Sequence, residues 1–458
     1  AQKLTRSILI EGEWNVQVIP TLDNRWGDYH WPASNGLLGA EIRAVNYSNQ
    51  ADADIKQIAW NKQSVGYGTV FKWMKALATP LTKEELLTNN ELPWEDYDFS
   101  WRWGVEGDYG HQGYHGLKTE MYDDFIRMGK IEDVFTELRR VEDPAGKHYY
   151  FSTSVIANKS GNYKILSRTK KPVEAYLNGK VLDIHAENAF LNKGENQLIL
   201  HYEGAGTTYF LFKDKELQDA FDKEVLKERP ISMKWNGDLS VLPMTPYPDC
   251  QKMLYEVKTA PGANQLAFAA YAKNIKVWTA DKKLKCKKGV TRADLASSFE
   301  VDLGKNNPYG TTVYMEVEPA IAGRNGGAMF PYPIQQTCGS GIMTLGDWGE
   351  KPGLEYFSGG IEYTKEIEIS NLQTNEKCYL NLGDVCSSAS IWINEKEVAT
   401  RLIGPWIFDI SEYVKTGKNQ IKIIVYNTAY NHYLSIPTMY RKKQSSGILG
   451  PVSIDFMN

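Results

Sequence analysis

The sequence predicts an all-β chain of three β-sandwiches, and three observations carry that prediction. Apolar and polar residues alternate, as where Ile391 and Ile393 interleave with Ser390 and Trp392, or Ile421, Ile423 and Val425 with Lys422 and Tyr426. A period of two means a strand with one face on a core. A unit of strand, two-residue turn, strand and glycine-led turn then occurs twice. It runs once through Asn178-Gly179 and Gly194-Glu195-Asn196, and again through Asn394-Glu395 and Gly417-Lys418-Asn419. A weaker third copy follows Ile275, without the asparagine. Finally, a chain of 458 residues divides into domains of roughly 150 residues, each large enough to bury a core without disulfides.

Taken in order, residues 8–19 and 40–47 read as strands separated by the polar loop Asp23 to Pro32. From about 60 to 145 the alternation fails. This span reads as an insertion holding a short helix capped by Thr82 and then an aromatic loop, residues 93–118. Alternation resumes at Tyr149–Val155 and continues to Tyr209–Phe212. Asn178-Gly179 suits a type I′ hairpin because both central residues need positive φ. Leu217, Phe221 and Val225 then stand four apart, a linker helix over 214–227 that Arg229-Pro230 ends. Strands follow near 254–257, 266–269 and 311–317, and Gly323 to Gly327 punctuates the chain before the last sandwich. The expected domains are therefore 1–228, 229–322 and 323–458.

Composition excludes several functions. A net charge of −4 leaves no basic surplus for phosphates, so nucleic acid is an unsuitable partner. No apolar run reaches the roughly 18 residues of a membrane span. Ala1-Gln2-Lys3 shows no charged and apolar leader, so the chain is expected to be either processed or cut from a longer polypeptide. Five cysteines, an odd number without Cys-x-x-Cys spacing, read as buried or incidental thiols; Cys378 and Cys386 could meet across neighbouring strands, which sequence alone does not decide. The 13 Trp and 27 Tyr suit sugar contact, and suit packing equally well.

Three blocks carry a family resemblance: Ile19 to Tyr29; Leu345 to Trp348 with Tyr356 to Tyr363; and Asn427 to Tyr433 running on through Ser446 to Val452. They resemble the portion that follows the catalytic barrel in α-L-rhamnosidases of glycoside hydrolase family 106. The sandwiches are also similar to the galactose-binding-like jelly roll of family 2 hydrolases. The resemblance implies a multidomain hydrolase of polysaccharide, secreted to the periplasm or beyond, in which this chain supplies accessory β-domains beside an upstream catalytic domain of the same polypeptide. No series of strands alternating with helices could form the barrel here, so the family's catalytic glutamates map to no residue.

Carbohydrate contacts are expected from Arg25, Trp26 and Asp28, where charges can bond hydroxyls and the ring can stack on a sugar; pairing with a neighbouring barrel would need the same residues. Trp101, Trp103, Tyr109 and His111 in the insertion, and Trp348, Trp406, Asn431, His432 and Tyr433 in the last sandwich, complete the polar-aromatic set. Should the chain be catalytic by itself, Asp96, Asp98, Glu106 and Asp108 are the candidate carboxylates. On an extended strand Asp96 and Asp98 would lie roughly 7 Å apart on one face, the separation of an inverting pair. Aspartates so close in sequence more often cap turns. No cofactor is required; a structural calcium ion is compatible with sandwich loops, with no ligands assigned. A free-standing carbohydrate-binding protein and a hydrolase or lyase using the 93–118 loop are the other functional readings.

Overall fold

The computed structural model describes residues 3–19, 22–23, 37–38, 40–50, 54–100, 147–169, 171–204, 208–214, 216, 242–247, 252–291, 296–305, 307–321, 324–373, 376–433 and 443–458. These residues form three antiparallel sandwiches, as the alternation predicts. The expected linker helix over 214–227 and the loop Asp23 to Pro32 lie almost wholly outside them.

The sandwiches are nested rather than strung in sequence. In the outer one, Glu13–Ile19 pairs with Gly341–Thr344 and Gly360–Ile369, and Leu4–Leu9 pairs with Ser453–Met457 at the far end of the chain. In the middle one, Ala44–Ser48 pairs with Met253–Lys258, and Glu41–Ile42 pairs with Ile334–Cys338. The inner one is built from Tyr67–Leu77 through Thr208–Lys213, with Met244–Thr245 added beside His148–Ala157. Contiguous domains ending at 228 and 322 would cut across these pairings: strands 8–19 and 40–47 serve the outer and middle sandwiches. Likewise Gly326–Met329 is a buried 3₁₀ turn between inner and middle sandwiches. A Cβ on Gly327 would sit 1.9 Å from the Ser64 carbonyl, which is why glycine stands there.

Strand structure does not stop at residue 60. Tyr67–Leu77 is an eleven-residue strand one in from the edge of the inner sheet, flanked by His148–Ala157 and Glu95–Ser100. Its inward residues Phe71 and Trp73 pack against Phe151 and Tyr97. Large aromatic side chains, with Gly66 and Gly68 early in the strand, obscure the period that smaller aliphatics show plainly elsewhere. The helix Lys83–Thr88 follows, with Thr82 and Glu85 forming the reciprocal capping box.

The outer core is aliphatic, with Ile391, Ile393, Ile421, Ile423 and Val425 fully buried. Each contributes about 1.5–3 kcal/mol by leaving water. Cys378 and Cys386 are free thiols, as are Cys286 and Cys338. Burial pushes Cys286 and Cys378 up to about 11 and Cys338 up to about 12, which removes their thiolate character.

Candidate functional site

The main sheets of the three sandwiches follow the same order: a hairpin at one edge, two long strands, then two further strands. Each hairpin strand has an aromatic residue near its end, turned away from the core. What surrounds that residue differs. In the inner sheet, Tyr176 lies with Tyr150, Met74 and Ile199 in an apolar cluster that the helix residue Leu86 completes. In the outer sheet, Trp392 carries the Lys422 ammonium 4.5 Å above its ring, in a row that continues to Thr364 and Asn15.

The middle sheet is different. Its cross-strand row reads Trp278, Tyr314, Glu256, Asn46, Lys62. Tyr314 stands between Trp278 and Trp60, with centroids 6.0 and 6.3 Å away and both ring planes within 27° of its own. All three rings are partly exposed. Residues at opposed positions meet because registered strands bring their Cβ atoms within about 5.5 Å.

Beyond Tyr314 the row enters a cleft of about 240 Å³ between the middle and outer sandwiches. Six of its lining residues are charged: Glu41, Glu256 and Glu355 against Arg43, Lys62 and Lys258. At its base the buried Arg43 guanidinium donates to Glu41 through two nitrogens, at 3.0 and 2.8 Å, and Gln335 donates to the other carboxylate oxygen. Toward the rim Lys62 meets Glu355 at 2.7 Å, and Asn46 donates to Glu256 at 2.8 Å. The Glu355 carboxylate holds the Lys62 ammonium above its usual range against the opposing effect of burial, which is the largest single influence on it. Burial likewise raises the Tyr356 hydroxyl. An aromatic strip beside a cleft of fixed donors and acceptors can hold a polyhydroxylated ring, with C–H faces on the strip and hydroxyls on the polar groups.

The residues singled out from sequence fare differently. Trp348 is fully buried, and its indole N–H donates to the Tyr363 hydroxyl at 2.5 Å. Asn431 is buried too, donating to the Gln444 carbonyl and the Ser446 hydroxyl. Neither offers a surface to a ligand. Two of the blocks behind the family resemblance converge on this spot, with Asp347 accepting from Ser446 N–H at 3.0 Å and Asn427 bonding Phe357 and Ser446. Their unusual order of residues thus serves to lock a loop crossing. Trp406 is half-buried against the outer core. Asp96 is tied to Lys72 and to the Tyr247 hydroxyl, on a strand that also carries Asp98. Arg25, Trp26, Asp28, Trp101, Trp103, Glu106, Asp108, Tyr109 and His111 lie outside the described residues, as do the side chains of Asp98, His432 and Tyr433. Among the described residues no three His, Cys, Asp or Glu gather as a metal-ligand set, and no helix is long and apolar enough to cross a membrane.

Sequence reasoning missed the strip. The only local signal was the alternation around Trp278, which sends Val277 inward and Trp278 outward. Trp60 and Tyr314 become its neighbours only through pairing.

No known family profile matches the sequence. A Formosa agariphila protein provisionally named beta-glucuronidase is 29% identical over 140 residues, which are 29% of this chain and 12% of that one. A second, of the same name and organism, is 31% identical over 121 residues, 26% of this chain and 11% of its own. The chain spans about a tenth of the length of these curated relatives. A solved rhamnosidase from Novosphingobium sp. PP1Y aligns with 45% of this chain and 23% of its own at 19% identity, with a TM-score of 0.25. The chain thus contains β-structure related to part of glycoside hydrolases.

Proposed function

We propose that the chain forms the noncatalytic β-sandwich portion of an α-L-rhamnosidase-like glycoside hydrolase of the periplasm or extracellular space, bracing an upstream catalytic domain and binding carbohydrate on the open face of the middle sandwich. The observation that carries the binding claim is the Trp60, Tyr314, Trp278 strip, which runs into a polar cleft. The equivalent faces of the other two sandwiches are either closed by a helix or polar. The noncatalytic claim is supported by the ties on Asp96, which leave that carboxylate paired with Lys72 rather than poised for proton transfer.

Affinity electrophoresis through gels containing soluble plant or bacterial polysaccharides tests the binding claim. The chain is expected to be retarded in at least one gel, and Tyr314→Ala to migrate freely. Equal retardation of the variant would overturn the placement of the site. Incubation with aryl α-L-rhamnosides and aryl β-D-glucuronides tests the rest: release of aglycone by the purified chain would overturn the noncatalytic reading.

A further inference from the structure

We infer, building on the carbohydrate reading, that the middle-sandwich face selects an uncharged glycan strand at least two rings long.

The preference for uncharged glycans originates in the cleft. Three carboxylates and three cations line it, so its formal charge is zero. Each cation has a carboxylate close by: Arg43 lies 2.8 Å from Glu41, Lys62 2.7 Å from Glu355, and Lys258 3.9 Å from Glu256. An incoming uronate or sulfate would have to draw a cation away from its present partner and leave that carboxylate uncompensated. In the buried Arg43 and Glu41 pair that loss is severe, since separating a buried pair strands a charge in a poorly solvated place. Glu256 also stands directly opposite Tyr314, at the junction of strip and cleft, where it would repel an anionic substituent. A hydroxyl needs no such exchange. It can donate to a free lone pair of Glu256 or Glu355 and leave both pairs intact. Specificity here comes from what the cleft would penalise as much as from what it attracts.

The strip sets the length. Two tryptophan rings, each within 27° of the Tyr314 plane and with centroids 6.0 and 6.3 Å from its own, make an apolar surface larger than a slot for one ring. A single sugar over Tyr314 would leave the rings on either side uncovered. Consecutive units would cover them.

Intrinsic tryptophan fluorescence titrations can test both parts. The probes are neutral xylo-, manno- and galacto-oligosaccharides of one to four units, with oligogalacturonides and sulfated galacto-oligosaccharides of the same lengths. A neutral series is expected to bind, with affinity rising about tenfold or more from monomer to trimer and then levelling. Tyr314→Ala and Trp278→Leu should each weaken it about tenfold, the range of an aromatic contact; leucine maintains apolar cover on the sheet should alanine unfold it. Glu355→Gln, which releases Lys62 from its partner, should admit the anionic series. Tighter binding of the anionic series by the unaltered chain, abolished by Trp278→Leu, would overturn the preference for uncharged glycans and leave the carbohydrate reading standing. Monomer affinity equal to that of the trimer would overturn the length claim. Binding of none of these probes would overturn this inference, while retention on polysaccharide gels would leave the broader reading intact.

Discussion

The inner and outer sandwiches share a corner built on the same pair of asparagines. In each, a buried asparagine caps the glycine-led turn. Asn196 donates to Asn192 and Gly194 carbonyls at 2.8 and 3.1 Å, and Asn419 donates to Lys415 and Gly417 carbonyls at 2.6 and 3.0 Å. In each, that asparagine accepts from the hairpin asparagine, Asn178 or Asn394, at 2.9 Å. The hairpin residue then accepts from the backbone of Gln197 or Gln420. The middle sandwich lacks the hairpin asparagine, and the Asn307 side chain there donates to the carbonyls of Leu303, Gly304 and Ala263. The two hairpin turns part at their second residue. Gly179 has φ 74, and Glu395 adopts φ 66, a left-handed conformation that costs a side chain roughly 1 kcal/mol or more. The outer corner tolerates the glutamate because the asparagine pair holds the turn from beneath.

Replacing the capping asparagine is the strongest way to break this parallel. Asn196→Ala and Asn419→Ala each strand several buried backbone groups, and each should cost about 3 kcal/mol, read as the denaturant midpoint. If one costs less than half the other, the two corners are not equivalent. The turn residue gives a smaller and opposite pair of effects. Gly179→Ala should destabilise by about 1 kcal/mol and Glu395→Gly should stabilise by a similar amount, seen in thermal melts. A neutral Glu395→Gly would mean the outer corner relieves the strain in another way.

The smallest effect should be one of pH. Five residues beyond the capping asparagine, the inner strand has His201 where the outer has Ile424. His201 is buried, stacks on Tyr150, and shares a hydrogen bond with His148 at 3.0 Å. Burial, and then the neighbouring His148, hold its pKa below the usual 6.5, while Glu174 and Glu203 oppose them. A base with a depressed folded pKa contributes full stability above its unfolded value and loses it as pH falls through that value toward the folded one. Amide protection factors in the inner strands, taken relative to the intrinsic exchange rate at each pH, should therefore fall between about pH 7 and 5, with those of the outer strands unaffected. His201→Ile should remove the difference, and a sensitivity that survived the substitution would place its origin elsewhere.

Much of this was legible in the chain. The two Asn-led hairpins, the strands of the last 120 residues or so and the Thr82 cap were readable because each depends on residues close together in sequence. Trp348 and Asn431 were misread as ligand contacts because an exposed side chain and a buried one carry the same letter; only packing tells them apart. The Tyr67–Leu77 strand was hidden by its inward aromatics and its glycine-broken start.

By itself the sequence determined an all-β chain with two copies of one corner, since period-two alternation and turn chemistry are local properties. Tertiary structure alone decided which strands share a sheet. The entropy of closing a loop grows only slowly with its length, so joining Glu13–Ile19 to Gly341–Thr344 costs little more than joining near neighbours, and no local pattern records the choice. That nesting brings Trp60 and Tyr314 to Trp278 and sets the cleft between two sandwiches. The candidate site is a product of pairing across the chain, which is why no single stretch of sequence displays it.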